Sequence, residues 1–198
     1  MPLNIPNILT WLRILMIPLF VVILYVPFIS LVYLPVPSIT EHEANLAATI
    51  VFIIAALTDW LDGYLARVLN QTSAFGAFLD PVADKLMVTA ALIVLVQLGR
   101  VDAIVALIII GREIAISALR EWMAKVGQSR KVAVSFVGKI KTVAQMVAIP
   151  FLLYYETIAG FVNCRLIGNG LIWIAALLTL LSMVYYLKMA FPFATKET

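Results

Sequence analysis

The stretch "TDWLDGYLARVLNQTSAFGAFLDPVADK", residues 58–85, holds four aspartates, Asp59, Asp62, Asp80 and Asp84, between strongly apolar runs. At 3.6 residues per helical turn, Asp59 and Asp62 share one face at i, i+3, and Asp80 and Asp84 share one at i, i+4. The short connection "NQTSAFG" makes the two helices antiparallel neighbours on this reading, so the two carboxylate pairs can meet. Four such groups repel one another unless a cation sits among them. Hard divalent ions favour oxygen-only ligation, and Mg²⁺ in particular is held by carboxylates plus substrate phosphates. The pattern therefore implies one or two divalent metals. Two other readings stay open at this level: structural ion pairs, Asp59 with Arg67 and Asp84 with Lys85, or the ion site of a transporter.

The neighbours of the carboxylates point toward a phosphate ligand. Gly63 follows Asp62 directly and Gly76 lies one turn before Asp80, so the helix surface lacks a side chain at two points where a bulky ligand could approach the backbone. Ala66 is a third small position, although small residues at such spacings also serve helix packing. Arg67 offers a planar five-donor group suited to phosphate oxygens. Metal, arginine and open backbone together suit a pyrophosphate.

These residues must be positioned by helices in a membrane. The chain has 198 residues, of which 64% are hydrophobic and only 13% charged, with a mean hydropathy of +1.06, too apolar for a soluble domain of this size. Six apolar runs, 12–30, 44–69, 78–98, 101–123, 142–158 and 171–189, predict an all-α integral membrane protein with six transmembrane helices in a single transmembrane catalytic domain over 1–198. The third and fourth runs are joined by the turn "LGRVD". "MPLNIPN" reads as a short N-terminal interfacial segment, with Pro6 preventing a straight helical continuation, and the first span is not read as a cleavable signal peptide. At membrane depth an aspartate costs about 2.5 to 3.5 kcal/mol near a helix centre, so four of them mark a site or pathway.

Charge asymmetry sets the expected orientation. With both termini cytoplasmic, only Arg100 and Arg165 of the 14 basic residues fall outside. "TEHEA" and Cys164, which has no disulfide partner within the chain, fall outside with them, and His42 is expected to be a solvated loop residue. The net charge of +3 is explained by topology and anionic lipid, with no nucleic acid implied. Arg112, inside an apolar run beside Glu113, and Arg120 two turns later form a basic strip suited to an anion. Lys139 and Lys141 open the fifth helix on nearly opposite sides, so one of them should dominate, and Lys139 is the favoured candidate.

Asp59-x2-Asp62-Gly63-x2-Ala66-Arg67-x8-Gly76-x3-Asp80-x3-Asp84 resembles, at each of these eight positions, the signature of the CDP-alcohol phosphotransferase family. "NIPNILTWLRILMIPLF", "GREIAISALREWMA" and "GKIKTVAQMVA" are similar to the branch that makes phosphatidylglycerophosphate, so the resemblance covers most of the chain. It implies a six-helix, commonly homodimeric bundle in the bacterial cytoplasmic (inner) membrane, with the active site on the cytoplasmic side. The implied reaction transfers the phosphatidyl group from CDP-diacylglycerol to sn-glycerol 3-phosphate and releases CMP, without a covalent enzyme intermediate. By the same resemblance Asp59, Asp62, Asp80 and Asp84 ligate Mg²⁺ or Mn²⁺, and Asp84 is also the general base. Gly63, Ala66, Arg67, Thr72, Ser73 and Gly76 join Asp59 and Asp62 in holding CDP-diacylglycerol. Arg112, Arg120, Lys139 and Lys141 are the expected ligands of the acceptor phosphate. A sibling enzyme with inositol phosphate, serine or phosphatidylglycerol as acceptor, or an ion or metabolite transporter, is the alternative.

Overall fold

The computed structural model describes residues 5–32, 39–68, 74–127 and 136–194. Among these residues the chain forms six helices, α1 (Ile5–Val32), α2 (Glu41–Val68), α3 (Ala74–Gln97), α4 (Ala103–Lys125), α5 (Phe136–Tyr154) and α6 (Cys164–Ala194). One minimal antiparallel hairpin, β1 (Thr157–Ile158) and β2 (Val162–Asn163), links α5 to α6.

Local chemistry accounts for the helix ends. Thr40 and Glu43 form a reciprocal capping box at the start of α2. The Glu43 carboxylate accepts from the Thr40 amide at 2.8 Å, and the Thr40 hydroxyl accepts from the Glu43 amide at 3.2 Å. Asp102 caps α4 by accepting from the Ile104 amide at 2.7 Å. Gly127, at φ 73°, follows the end of α4 in the left-handed conformation that ends helices. Arg100, in the turn between α3 and α4, donates to the last carbonyls of α5, Leu152 at 3.2 Å and Leu153 at 2.7 Å.

Four sequence expectations change. Pro6 lies in the first turn of α1 rather than separating an interfacial segment from the first span, because a first-turn proline gives up an N–H that has no helical partner anyway. His42 is exposed as expected but belongs to the first turn of α2, not to a loop, with its Nδ1 2.8 Å from Glu156. The fifth helix begins at Phe136 and ends at Tyr154, several residues earlier than its apolar run suggests. Finally, α2 and α3 touch only sparsely. α1 packs extensively along α2 and also against α3, so the two aspartate-bearing helices meet largely across a third.

Among the described residues three helical stretches, Ile8–Pro27, Glu41–Leu65 and Cys164–Phe193, are long and apolar enough to cross a membrane. This is fewer than the six spans expected. α3 carries Asp80, Asp84 and Lys85, α4 carries Arg112, Glu113 and Arg120, and α5 has only 19 residues with Lys139 and Lys141 among them. The outward faces remain apolar, with Leu15, Leu19, Leu57, Ile93, Leu107 and Leu177 exposed, as a lipid environment requires. The interior is closed by Phe20, Phe52, Leu92, Ile109, Ile149 and Leu152 from five helices. α6 approaches α5 at Gly168, where a β-carbon would lie 2.7 Å from the Leu152 Cγ. A second buried cluster, Ile116, Met123, Tyr186 and Ala190, joins α4 to α6.

Candidate active site

Helix α1 supplies the groups that organise the carboxylates. Thr10 and Arg13 are spaced i, i+3 and so share a face. Arg13 Nη1 donates to Asp59 Oδ1 at 2.5 Å, and its Nη2 donates to Asp62 Oδ2 in a short, buried ion pair. The Thr10 hydroxyl donates to Asp80 Oδ1 at 2.5 Å. One face of α1 thereby reaches three of the four aspartates, and Asp59 and Asp62 share a face as their spacing predicts. Asp59 therefore pairs with Arg13, while the Arg67 side chain of the structural ion-pair alternative lies outside the described residues. Arg13 is 1% exposed, a depth at which an arginine persists only with its charge compensated.

Asp84 occupies the junction of two spaces. On one side it lines a small cavity with Arg13, Phe52, Asp59 and Met87. On the other it lines a cavity of about 60 Å³ with Lys85, Thr89, Ile109, Glu113, Thr142 and Gln145. The carboxylate thus forms a wall shared by the aspartate cluster and a polar chamber between α3, α4 and α5.

Behind that chamber lies a cationic cluster. Lys141, 2% exposed, makes a short ion pair with Glu113, which also faces Arg112 at 3.5 Å. Arg112 donates to the Ser182 hydroxyl at 3.1 Å, and the guanidinium groups of Arg112 and Arg120 stand 5.5 and 5.4 Å from the Tyr186 ring centre. Among the described residues the Nε groups of both arginines lack hydrogen-bond partners. Buried donors left unpaired cost about 1 to 3 kcal/mol each, so they are poised for an anion.

The two lysines, of which Lys139 was the favoured candidate, differ in environment. Lys139 is exposed and Lys141 turns inward, because α5 presents position 141 to the Glu113 face of α4. Gly63 is half-buried and, among the described residues, nothing lies within 4 Å of where its β-carbon would sit, which leaves room for a ligand against the α2 backbone. Gly76 is buried in α3. Thr72 and Ser73 lie outside the described residues, as do the side chains of Ala66 and Arg67. Sequence reasoning assigned no role to Arg13, Glu113 or Gln145. For Arg13 the available signal was a lone arginine within an otherwise apolar run, three residues after Thr10.

The donor chemistry suits a hard divalent cation, since Asp59, Asp62, Asp80 and Asp84 offer oxygen alone and Arg13 shows that a positive charge is accommodated among them. Among the described residues, no three acidic, cysteine or histidine side chains are already drawn together around a common point. Instead, the Arg13 guanidinium supplies the compensating charge for Asp59 and Asp62.

A helical bundle with aspartates from two helices beside a chamber backed by cations defines the class, and comparison agrees: the chain belongs to the CDP-alcohol phosphatidyltransferase family, whose pattern matches residues 3–182. That family is generally dependent on divalent metal ions. Among individual relatives, a protein of Haemophilus influenzae named CDP-diacylglycerol–glycerol-3-phosphate 3-phosphatidyltransferase is 48% identical over 196 residues, covering 96% of this chain and 95% of the relative. Proteins of the same name from Salmonella paratyphi A and Shigella flexneri are 45% and 44% identical over 192 residues, each covering 96% of both chains.

Proposed function

We propose that this chain transfers the phosphatidyl group of CDP-diacylglycerol to sn-glycerol 3-phosphate, forming phosphatidylglycerophosphate and CMP. The observation that carries this reading is the place of Asp84, between the aspartate cluster and a chamber backed by Arg112, Arg120 and Lys141. The diphosphate donor is assigned to the first side and the phosphorylated alcohol to the second.

Asp59, Asp62, Asp80 and Asp84 would hold Mg²⁺ or Mn²⁺, as one or two ions. When bound, the cation neutralises the diphosphate and stabilises the charge that develops on departing CMP. Gly63 admits the nucleotide to the α2 backbone, and Arg67, Thr72 and Ser73 remain candidates for the donor site. Arg112, Arg120 and Lys141 hold the acceptor phosphate, which fixes the acceptor's orientation. Asp84 then accepts the proton of the acceptor's primary hydroxyl. The resulting oxygen bonds to the phosphorus that carries diacylglycerol, and the bond from that phosphorus to the CMP oxygen breaks. The protein forms no covalent bond to either substrate. The positive-inside distribution supports a reaction at the cytoplasmic face of a bacterial inner membrane, and family resemblance supports a homodimer.

Purified protein in lipid nanodiscs, given CDP-diacylglycerol, Mn²⁺ and a panel of acceptors, tests the assignment. CMP release with glycerol 3-phosphate, and not with serine or inositol phosphate, is the expected result. Selective turnover of another acceptor would transfer the chain to a sibling activity. Ion flux across sealed vesicles reconstituted with the protein, without CMP release, would reject the enzyme reading altogether.

A further inference from the structure

The chamber beside Asp84 contains a polar group that the reaction outlined above does not use. Gln145 lies on α5 one turn beyond Lys141, at i, i+4, so the two share a face. It is 4% exposed, it lines the chamber with Asp84 and Glu113, and among the described residues its Oε1 has no hydrogen-bond partner. Two of the neighbouring polar groups are already engaged. Glu113 is bound to Lys141, and the Thr142 hydroxyl donates to the Gly138 carbonyl at 2.9 Å. A buried acceptor aimed into a polar chamber calls for a donor, and such acceptors are rarely left unmet.

Resting on the proposed glycerol 3-phosphate acceptor, the position of Gln145 suggests which donor. The acceptor must span from the Asp84 carboxylate, which takes the proton of its primary hydroxyl, toward the cations of α4 and α5. Its secondary hydroxyl, on the middle carbon, lies between those two ends. We infer that Gln145 is a specificity residue that accepts a hydrogen bond from this middle hydroxyl. A site built around such a bond discriminates against a substrate that lacks the hydroxyl, because the carboxamide oxygen is then buried without a partner.

The test compares glycerol 3-phosphate with 3-hydroxypropyl phosphate, which keeps the primary hydroxyl and the phosphate but lacks the middle hydroxyl. Wild-type protein, Gln145→Leu and Gln145→Asn are each assayed in nanodiscs for kcat/KM on both acceptors and for KM toward CDP-diacylglycerol. The wild type should prefer glycerol 3-phosphate by at least about tenfold, in line with one lost hydrogen bond. Gln145→Leu should erase that preference by losing efficiency on glycerol 3-phosphate alone, with KM for the CDP-lipid unchanged. Gln145→Asn, which keeps the amide but withdraws it by one methylene, should fall between the two and covers the case in which leucine prevents folding. An unchanged acceptor ratio in an active variant, or equal loss on both acceptors, would overturn the inference. Failure of the wild type to use glycerol 3-phosphate while using another acceptor would instead strike the proposed function.

Discussion

Arg13 on α1 and Asp62 on α2, 49 positions apart, form a buried ion pair, with the same guanidinium reaching Asp59 at 2.5 Å. Removing one partner from a buried pair strands the other charge at a cost of about 3 to 5 kcal/mol. Arg13→Met should therefore lower the unfolding temperature markedly in the presence of a chelator. Added Mn²⁺ should recover part of the loss, since a cation can then compensate Asp59 and Asp62. Thermal unfolding in detergent with and without Mn²⁺ reads both effects, and a variant as stable as wild type in chelator would contradict the structural role.

Asp84 lines both the cavity beside the aspartate cluster and the polar chamber, and as the proposed base its charge should bear on turnover more than on donor affinity. Asp84→Asn keeps the shape and removes the base. Turnover should drop by about 10² to 10⁴-fold, the usual contribution of a positioned general base. KM for CDP-diacylglycerol should move much less, and a steady-state analysis in mixed micelles would reveal a donor-binding role if KM rose while kcat held.

Lys139 and Lys141 differ by two positions and by environment. Lys141→Gln removes a buried ammonium from Glu113, and it should both destabilise the fold and raise KM for glycerol 3-phosphate. Lys139→Gln alters an exposed side chain and should leave stability within about 0.5 kcal/mol. Parallel acceptor titrations of the two variants decide the matter, and equal effects would argue that charge alone, rather than the inward side chain, attracts the acceptor.

Gly63 has free space where its side chain would stand. Among the described residues a β-carbon there meets no atom within 4 Å, and alanine gains helix propensity of up to about 1 kcal/mol, so Gly63→Ala should be at least as stable as wild type. The methyl group nevertheless intrudes on the space assigned to the nucleotide. Catalytic efficiency toward CDP-diacylglycerol should fall while the unfolding temperature holds or rises, and a fully active alanine variant would remove the nucleotide from that face of α2.

Much of the fold was legible in the chain because helix formation and lipid exposure are local. Runs of apolar residues and the Leu98–Asp102 turn each depend on neighbours a few positions away. Helix periodicity likewise put Asp59 and Asp62 on one face, and carboxylates at such depth announced a site. The helix partners were less legible, since a short link between α2 and α3 does not exclude α1 from packing between them.

What the sequence determined by itself was the inventory: a membrane-embedded helical chain with four aspartates on two consecutive helices and a basic strip further on. The tertiary structure decided which of these groups meet. Thr10 reaches Asp80 across 70 positions, Arg13 reaches Asp59 across 46, and Lys141 rather than Lys139 turns to Glu113 across 28. Those contacts depend on the rotation of each helix about its own axis, which is set by packing against the other helices, and spacing within one helix carries no record of it.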